Sequence, residues 1–192
     1  MPKPFFLGLD LETTGSDPPP RHQLIQVGAK MPGPGGPEFV SDVGYPNGTY
    51  AYTEDALKVN RFTIERIEAG PSPESVDREL ANWLNRIGAT AKSIRPIGWN
   101  VASFDVPFVR WYFPQASAFF SYQSVDLNAV CFTLAEAHGR SFHGYKDAAK
   151  AYARKVLGAD NSHDAGFDAV CAVLEWEYLQ GCVRTGVREV LP

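Results

Sequence analysis

Five side chains of this sequence have the types and spacing to gather around a divalent metal ion. Asp10 and Glu12 stand two apart in "FFLGLDLETTG", Asp105 falls in "GWNVASFDVPFV", and His163 precedes Asp168 by five positions in "NSHDAGFDAV". Alternate residues of a strand point to one face, so Asp10 and Glu12 project together while Leu9 and Leu11 point to the other side. Two buried acids of like sign repel and lose solvation, which raises both pKa values unless a cation lies between them. Oxygen-only ligands suit Mg²⁺ or Mn²⁺ rather than zinc, and there is no Cys/His pattern of the zinc type. Each piece alone also has a plainer reading. An Asp-x-Glu pair suits a solvated strand end, Asp105 suits a first-turn acid complementing a helix dipole, His163 an exposed loop histidine, and Asp168 a solvated helix face.

Helix geometry narrows the last pair. Five residues of ideal helix, at 3.6 per turn, set two side chains about 140° apart. His163 is therefore expected in the loop or cap beyond Asn161 and Ser162, leaning over a site to which Asp168 points from the helix. Asp164 then reads as a capping or first-turn acid.

The elements that must position these groups follow from periodicity. Residues 5 to 9 read as a strand, "RHQLIQVGAKM" as a second entered from the Pro18-Pro19-Pro20 loop, and "PEFVSDVGY" as a third. With the Gly/Pro connection at 32 to 37, the opening third is an antiparallel meander. Ser72 can N-cap a helix with Pro73 in its first turn, and Val76, Leu80, Trp83, Leu84 and Ile87 fall at helical spacing before Gly88 ends the run. "IRPIGWN" returns to strand character, with Pro96 expected at the strand's start or on an edge because it cannot donate to a ladder. A strand after a crossover helix implies parallel pairing. "SFDVPFVRWYF", "DLNAVCFTLAEAHG", "YKDAAKAYARKVLG" and "HDAGFDAVCAVLEWEYLQGCV" read as helices. The sum is a mixed-sheet α/β or α+β layer fold.

A chain of 192 residues that is 44% hydrophobic is long enough for one well-cored domain, so a single domain over 1–192 is expected. A net charge of −4 and a pI near 5.6 argue against gripping polyanions by bulk positive charge. Cys131, Cys171 and Cys182 form no CxxC pair, and an odd number fits reduced core thiols in a cytoplasmic protein. The apolar run after Lys3 is too short for a signal-peptide core, and no apolar segment is long enough for a membrane anchor.

"LDLETTG", "WNVASFD" and "HDAGFDA", in that order and with a helix after the last, resemble the three motifs of the DEDDh 3′→5′ exonuclease family. The resemblance covers nearly the whole chain, since "HQLIQVGA" looks like the family's second strand and "EDALKVNRFT" like its segment beside the terminal nucleotide. It implies a ribonuclease H-like fold, a mixed sheet of five-stranded type, and two Mg²⁺ or Mn²⁺ ions held by Asp10, Glu12 and Asp168, with Asp105 holding the second directly or through water. His163 would be the general base. By the same resemblance Thr13 would contact the terminal sugar, and Leu57, Asn60 and Phe62 would border the base. Phe104 is a further stacking candidate; core packing is the plainer reading of each aromatic, and for Phe104 the two are equal. One departure stands out: family members often carry Gly where this chain has Arg61, and if that glycine serves a special backbone angle the loop here must differ.

The expected activity is removal of nucleoside monophosphates from single-stranded 3′ ends, of DNA in the first reading and of RNA in the second. A domain that has lost catalysis and only binds nucleic acid or a partner is a third reading, against which the complete acid and histidine set speaks. Metal ions supplying positive charge at one phosphate would leave a modest salt dependence. The tail "RTGVREVLP" holds no obvious sliding-clamp peptide. Val125 to Leu134 could pack against a second copy to make a homodimer, an internal helix being the more economical account.

Overall fold

Leucines at 7, 9 and 11 alternate with Gly8, Asp10 and Glu12, and this two-faced pattern belongs to β1 (Phe5–Thr13), the central strand of the sheet. The computed structural model describes residues 4–46, 48, 50–158 and 161–185; residues 186–192 of the tail lie outside these. β2 (Leu24–Lys30) pairs antiparallel with β1, and β3 (Glu38–Asp42) antiparallel with β2. β4 (Ile94–Gly98) lies parallel to β1 on its other side, and β5 (Val125–Asp126) parallel to β4. The order β3-β2-β1-β4-β5 is the mixed five-stranded sheet that the sequence implied.

The crossover helix between β3 and β4 is α3 (Pro73–Arg86), whose N-cap Ser72 accepts a hydrogen bond from Ser75 N–H. With α4 (Asp105–Tyr112) it covers one face, burying Leu7, Leu9 and Leu11 against Leu80, Leu84 and Phe108. Burying each such side chain contributes roughly 1.5–3 kcal/mol, so this layer fixes the register of β1 and hence of its two acids. The opposite face carries α6 (Leu127–His138), α7 (Phe142–Leu157) and α8 (Ala165–Thr185), cored by Ile97, Leu127, Tyr145, Ala172 and Leu179. Two glycines bring α8 down onto the sheet: a Cβ at Gly8 would collide with the carbonyl oxygen of Ala169, and one at Gly28 with that of Ala165. All three cysteines are free and buried.

Several local expectations are corrected. β1 continues through Asp10 and Glu12 to Thr13 instead of ending before them. "EDALKVNRFT" lies across α1 (Glu54–Asn60) and the start of α2 (Ile64–Ala69), each opened by a threonine cap, and a short α5 (Pro114–Ser117) follows α4. Two-residue β5 was hidden because Asp126 both ends that strand and N-caps α6. Pro96 sits mid-strand between β1 and β5, yet no ladder bond is lost. Ile94 exchanges its N–H and C=O with the 119–121 segment on the outer side, and Pro96, two residues on, faces that side where β5 has not begun, since its pairing starts at Ile97. Residues Leu127, Cys131, Leu134 and Ala135 of α6 pack inward, while Phe132 on the same helix is exposed. Among the described residues no helix is long and apolar enough to cross a membrane.

Candidate active site

The two acids of β1 point to the face that α8 crosses, and the close approach over Gly8 and Gly28 brings Asp168 in front of them. Ligating atoms of Glu12, His163 and Asp168 lie within 4.8 Å of one another. His163 sits outside the helix, as the 140° argument required, with φ 66°. Its N–H donates to Asp168 Oδ2 at 2.8 Å, so one bond fixes both the loop and the carboxylate. A left-handed backbone costs a non-glycine residue about 1–2 kcal/mol, and such strain persists where surrounding contacts hold it. Asp164 accepts from Phe167 N–H at 3.0 Å and so caps α8. Asp105 opens α4 and is 4% exposed, with Leu11 N–H bonded to its carboxylate, which ties it to β1.

The acids disfavour one another's charge. Burial, then the neighbouring Asp105, Asp168, Glu12 and Glu175 carboxylates, hold Asp10 well above the usual range. Burial first, with Asp168 and Asp164 second, pushes Glu12 up to about 8. Burial raises Asp105 against the pull of backbone N–H groups, and raises Asp168 against the His163 N–H. A divalent cation among such carboxylates would relieve that repulsion. The donors are carboxylates and one imidazole. Cys171 lines the same cleft, and burial pushes its thiol up to about 12. The set suits a divalent cation.

The cleft has a volume of about 370 Å³. Asp10, Glu12, His163 and Asp168 line one part of it, and Lys146, Lys150 and Arg154 of α7 another, with Trp99, Phe167 and Glu175 also in the lining. None of the five residues expected to hold the terminal nucleotide lines it. Leu57 and Phe62 pack in a small core with Ile25 and Ile67. Asn60 Nδ2 donates to the Thr13 carbonyl at 2.8 Å, and Thr13 Oγ1 donates to the Gly15 carbonyl at 2.8 Å. Phe104 lies half-buried with its ring 5.2 Å from that of Phe108. The Arg61 expectation is corrected too. Arg61 itself takes the left-handed C-cap of α1, φ 59° and ψ 29°, so the loop keeps the backbone angle without glycine.

Three features escaped sequence reasoning. Gln26, 3% exposed, accepts from Ala165 N–H at 2.8 Å and donates to Asp42 at 3.0 Å, anchoring the start of α8 to the sheet. Asp42 is in turn held by Arg66 through two bonds of 2.7 and 2.8 Å. A buried acid, Glu175, accepts from Trp99 Nε1 at 2.5 Å and is pushed up to about 7, by burial first. The signals were there for two of the three: Glu175 falls two helical turns after Asp168, on the same face, and Lys146, Lys150 and Arg154 recur at i, i+4 and i+8. Gln26 gave none, because its partners lie far along the chain.

No sequence-family model and no curated protein matches this chain. Solved structures do share its fold. E. coli exonuclease I in complex with a dT13 oligonucleotide superposes with a TM-score of 0.65 at 17% identity, over 96% of this chain and 42% of the other. The zinc-bound form of the E. coli exonuclease I–ssDNA complex gives 0.61 at 17% identity, over 97% of this chain and 42% of the other. Cell-death related nuclease 4 (CRN-4) gives 0.67 at 14% identity, over 97% of this chain and 66% of the other. The chain thus has the ribonuclease H-like exonuclease fold, and spans less than half the length of the exonuclease I chains.

Proposed function

We propose that this chain is a metal-dependent 3′→5′ exonuclease of the DEDDh type, hydrolysing phosphodiester bonds from the 3′ end of single-stranded nucleic acid, DNA in the first instance, and releasing nucleoside monophosphates. The observation that carries this reading is the meeting of Glu12, Asp168 and His163 within 4.8 Å, beside two further carboxylates, Asp10 and Asp105, whose pKa values these acids help to raise. Fold kinship with nucleases supports it.

Asp10, Glu12 and Asp168 would hold two Mg²⁺ or Mn²⁺ ions, with Asp105 nearby. Such ions supply Lewis-acid charge to the attacking and leaving oxygens in phosphodiester hydrolysis. The protein's own groups do the rest. His163, exposed on its left-handed turn, is free to face the attacking water and accept its proton, the task of a general base at neutral pH. The Asp168 bond to His163 N–H and the Gln26 bond to Ala165 N–H keep that loop from drifting, since misplacement by about 1 Å can cost on the order of 10²-fold.

The test is to incubate the protein with end-labelled single-stranded DNA and RNA of equal length, with Mn²⁺ or with EDTA. A mononucleotide ladder that EDTA abolishes is expected. A ladder on RNA alone would reassign the substrate as RNA, and degradation of a circular single strand would make the enzyme an endonuclease instead.

A further inference from the structure

The basic side of the cleft has no task in the chemistry described above. Lys146 and Lys150 are half-buried on consecutive turns of α7, with their ammonium groups 5.0 and 5.6 Å from the centre of the Trp99 ring. Among the described residues neither has a carboxylate oxygen within 4.0 Å, and Lys150 lies near enough to Asp168 and Glu175 to lower their pKa values. Like charges four residues apart on a helix destabilise it, and a cation on an aromatic face recovers only part of that. Arg154 extends the same stripe by one more turn along the cleft. In a chain of net charge −4, three cations concentrated on one wall of an acid-lined cleft have the character of an anion track.

We infer that Lys146, Lys150 and Arg154 bind consecutive backbone phosphates of a nucleic-acid strand whose 3′ end lies among the acids; this rests on the exonuclease reading for the placing of that end. Four residues of helix rise about 6 Å, on the scale of the step between neighbouring phosphates in an extended strand. Trp99 holds the first two ammonium groups toward the cleft, and its own Nε1–H is pinned by buried Glu175. The track takes phosphodiesters without regard to the base, and so is open to a deoxy or a ribo strand.

The experiment uses Lys146→Gln/Lys150→Gln, with Lys146→Arg/Lys150→Arg as the charge-keeping control. Binding of fluorescent deoxy and ribo octamers is followed by anisotropy with Ca²⁺ across a salt series. Each phosphate contact to a single strand contributes about 0.7 to the slope of log K against log salt, so the glutamine variant should lose about 1.4 on whichever polymer binds, and the arginine variant little. On the octamer the glutamine variant should lose about tenfold or more in kcat/KM, by the same counterion-release argument. On thymidine 5′-phosphate p-nitrophenyl ester, which has no further phosphate, its loss should be several-fold smaller than on the octamer. An unchanged slope, an equal loss on both substrates, or a parent that binds neither octamer overturns the track. A parent that binds with the expected slope yet hydrolyses neither substrate overturns the exonuclease reading and leaves the track standing.

Discussion

The acidic and basic walls of the cleft are built by opposite means. The acids lining the cleft come from β1 and α8, and they meet only because buried leucines set the register of β1 and two glycines admit the α8 backbone. Their cost is visible in carboxyl groups held above their ordinary range. The cations come from one helix at one spacing, on long stems with solvent nearby. Chemistry that needs fixed distances is placed where tertiary packing over-determines position, whereas charge that only has to attract is placed on a periodic surface, where flexible stems suffice. Damage to the first wall should therefore abolish turnover, and damage to the second should dilute it.

Asp10→Asn is the largest expected effect. It keeps shape and removes one charge, and should lower kcat by on the order of 10³-fold or more, as loss of a charge-stabilising group does, with an unchanged circular dichroism spectrum. A variant within tenfold of the parent would break the contrast between the walls. His163→Asn comes next. Asn tolerates the left-handed backbone but is no base, so kcat should fall on the order of 10²-fold or more while most of the Mn²⁺-induced rise in melting temperature remains. Loss of that rise with activity intact would assign His163 to ligand duty alone.

How much of this could be read in the sequence follows the same division. The acids and His163 stood out because residue type, order and spacing report a local fact, and strand alternation put Asp10 and Glu12 on one face before any coordinates. The antiparallel meander and the parallel pairing after the crossover helix also followed from periodicity. What could not be read depends on contacts between distant segments. Thr13, Leu57, Asn60, Phe62 and Phe104 were expected at the nucleotide; Leu57 and Phe62 lie in a small core, Thr13 and Asn60 bond backbone carbonyls, and Phe104 lies half-buried beside Phe108, and an apolar residue in an active-site segment looks the same in sequence whether it packs inward or faces a ligand. Arg61 shows the converse. A glycine-like backbone angle survives without glycine, because the α1 C-cap bond from Arg61 N–H to the Leu57 carbonyl holds it.

Removing Asp168 should separate binding of the cation from stability. With Mn²⁺ at about 100 times its Kd the parent gains about 2.7 kcal/mol, or roughly 5–10 °C in Tm for a chain of this size. Asp168→Ala should lose most of that rise by scanning calorimetry. Without metal the variant should be as stable as the parent or more so, since burial already disfavours the Asp168 charge. A metal-free variant much less stable than the parent would mean that Asp168 serves the fold first.

Glu175 is where the two walls meet, and it offers the smallest and sharpest test. Burial, and then Asp168, raise its carboxyl, while Trp99 N–H, Lys150 and Arg154 oppose them, and the balance is about 7 against an ordinary 4.5. Below pH 4.5 the group is protonated in both folded and unfolded chains and contributes nothing. As pH rises from there the unfolded chain releases the proton while the folded chain keeps it, so metal-free stability falls until about pH 7 and then levels. Glu175→Gln keeps an acceptor for Trp99 and removes the titration. It should match the parent near pH 4 and exceed it at pH 8 by on the order of 2–3 kcal/mol, measured by urea unfolding. In a Lys150→Gln background the parent's decline should extend to higher pH, because one of the cations holding Glu175 down is gone. A decline unmoved by that change would mean that the two walls do not sense each other's charge.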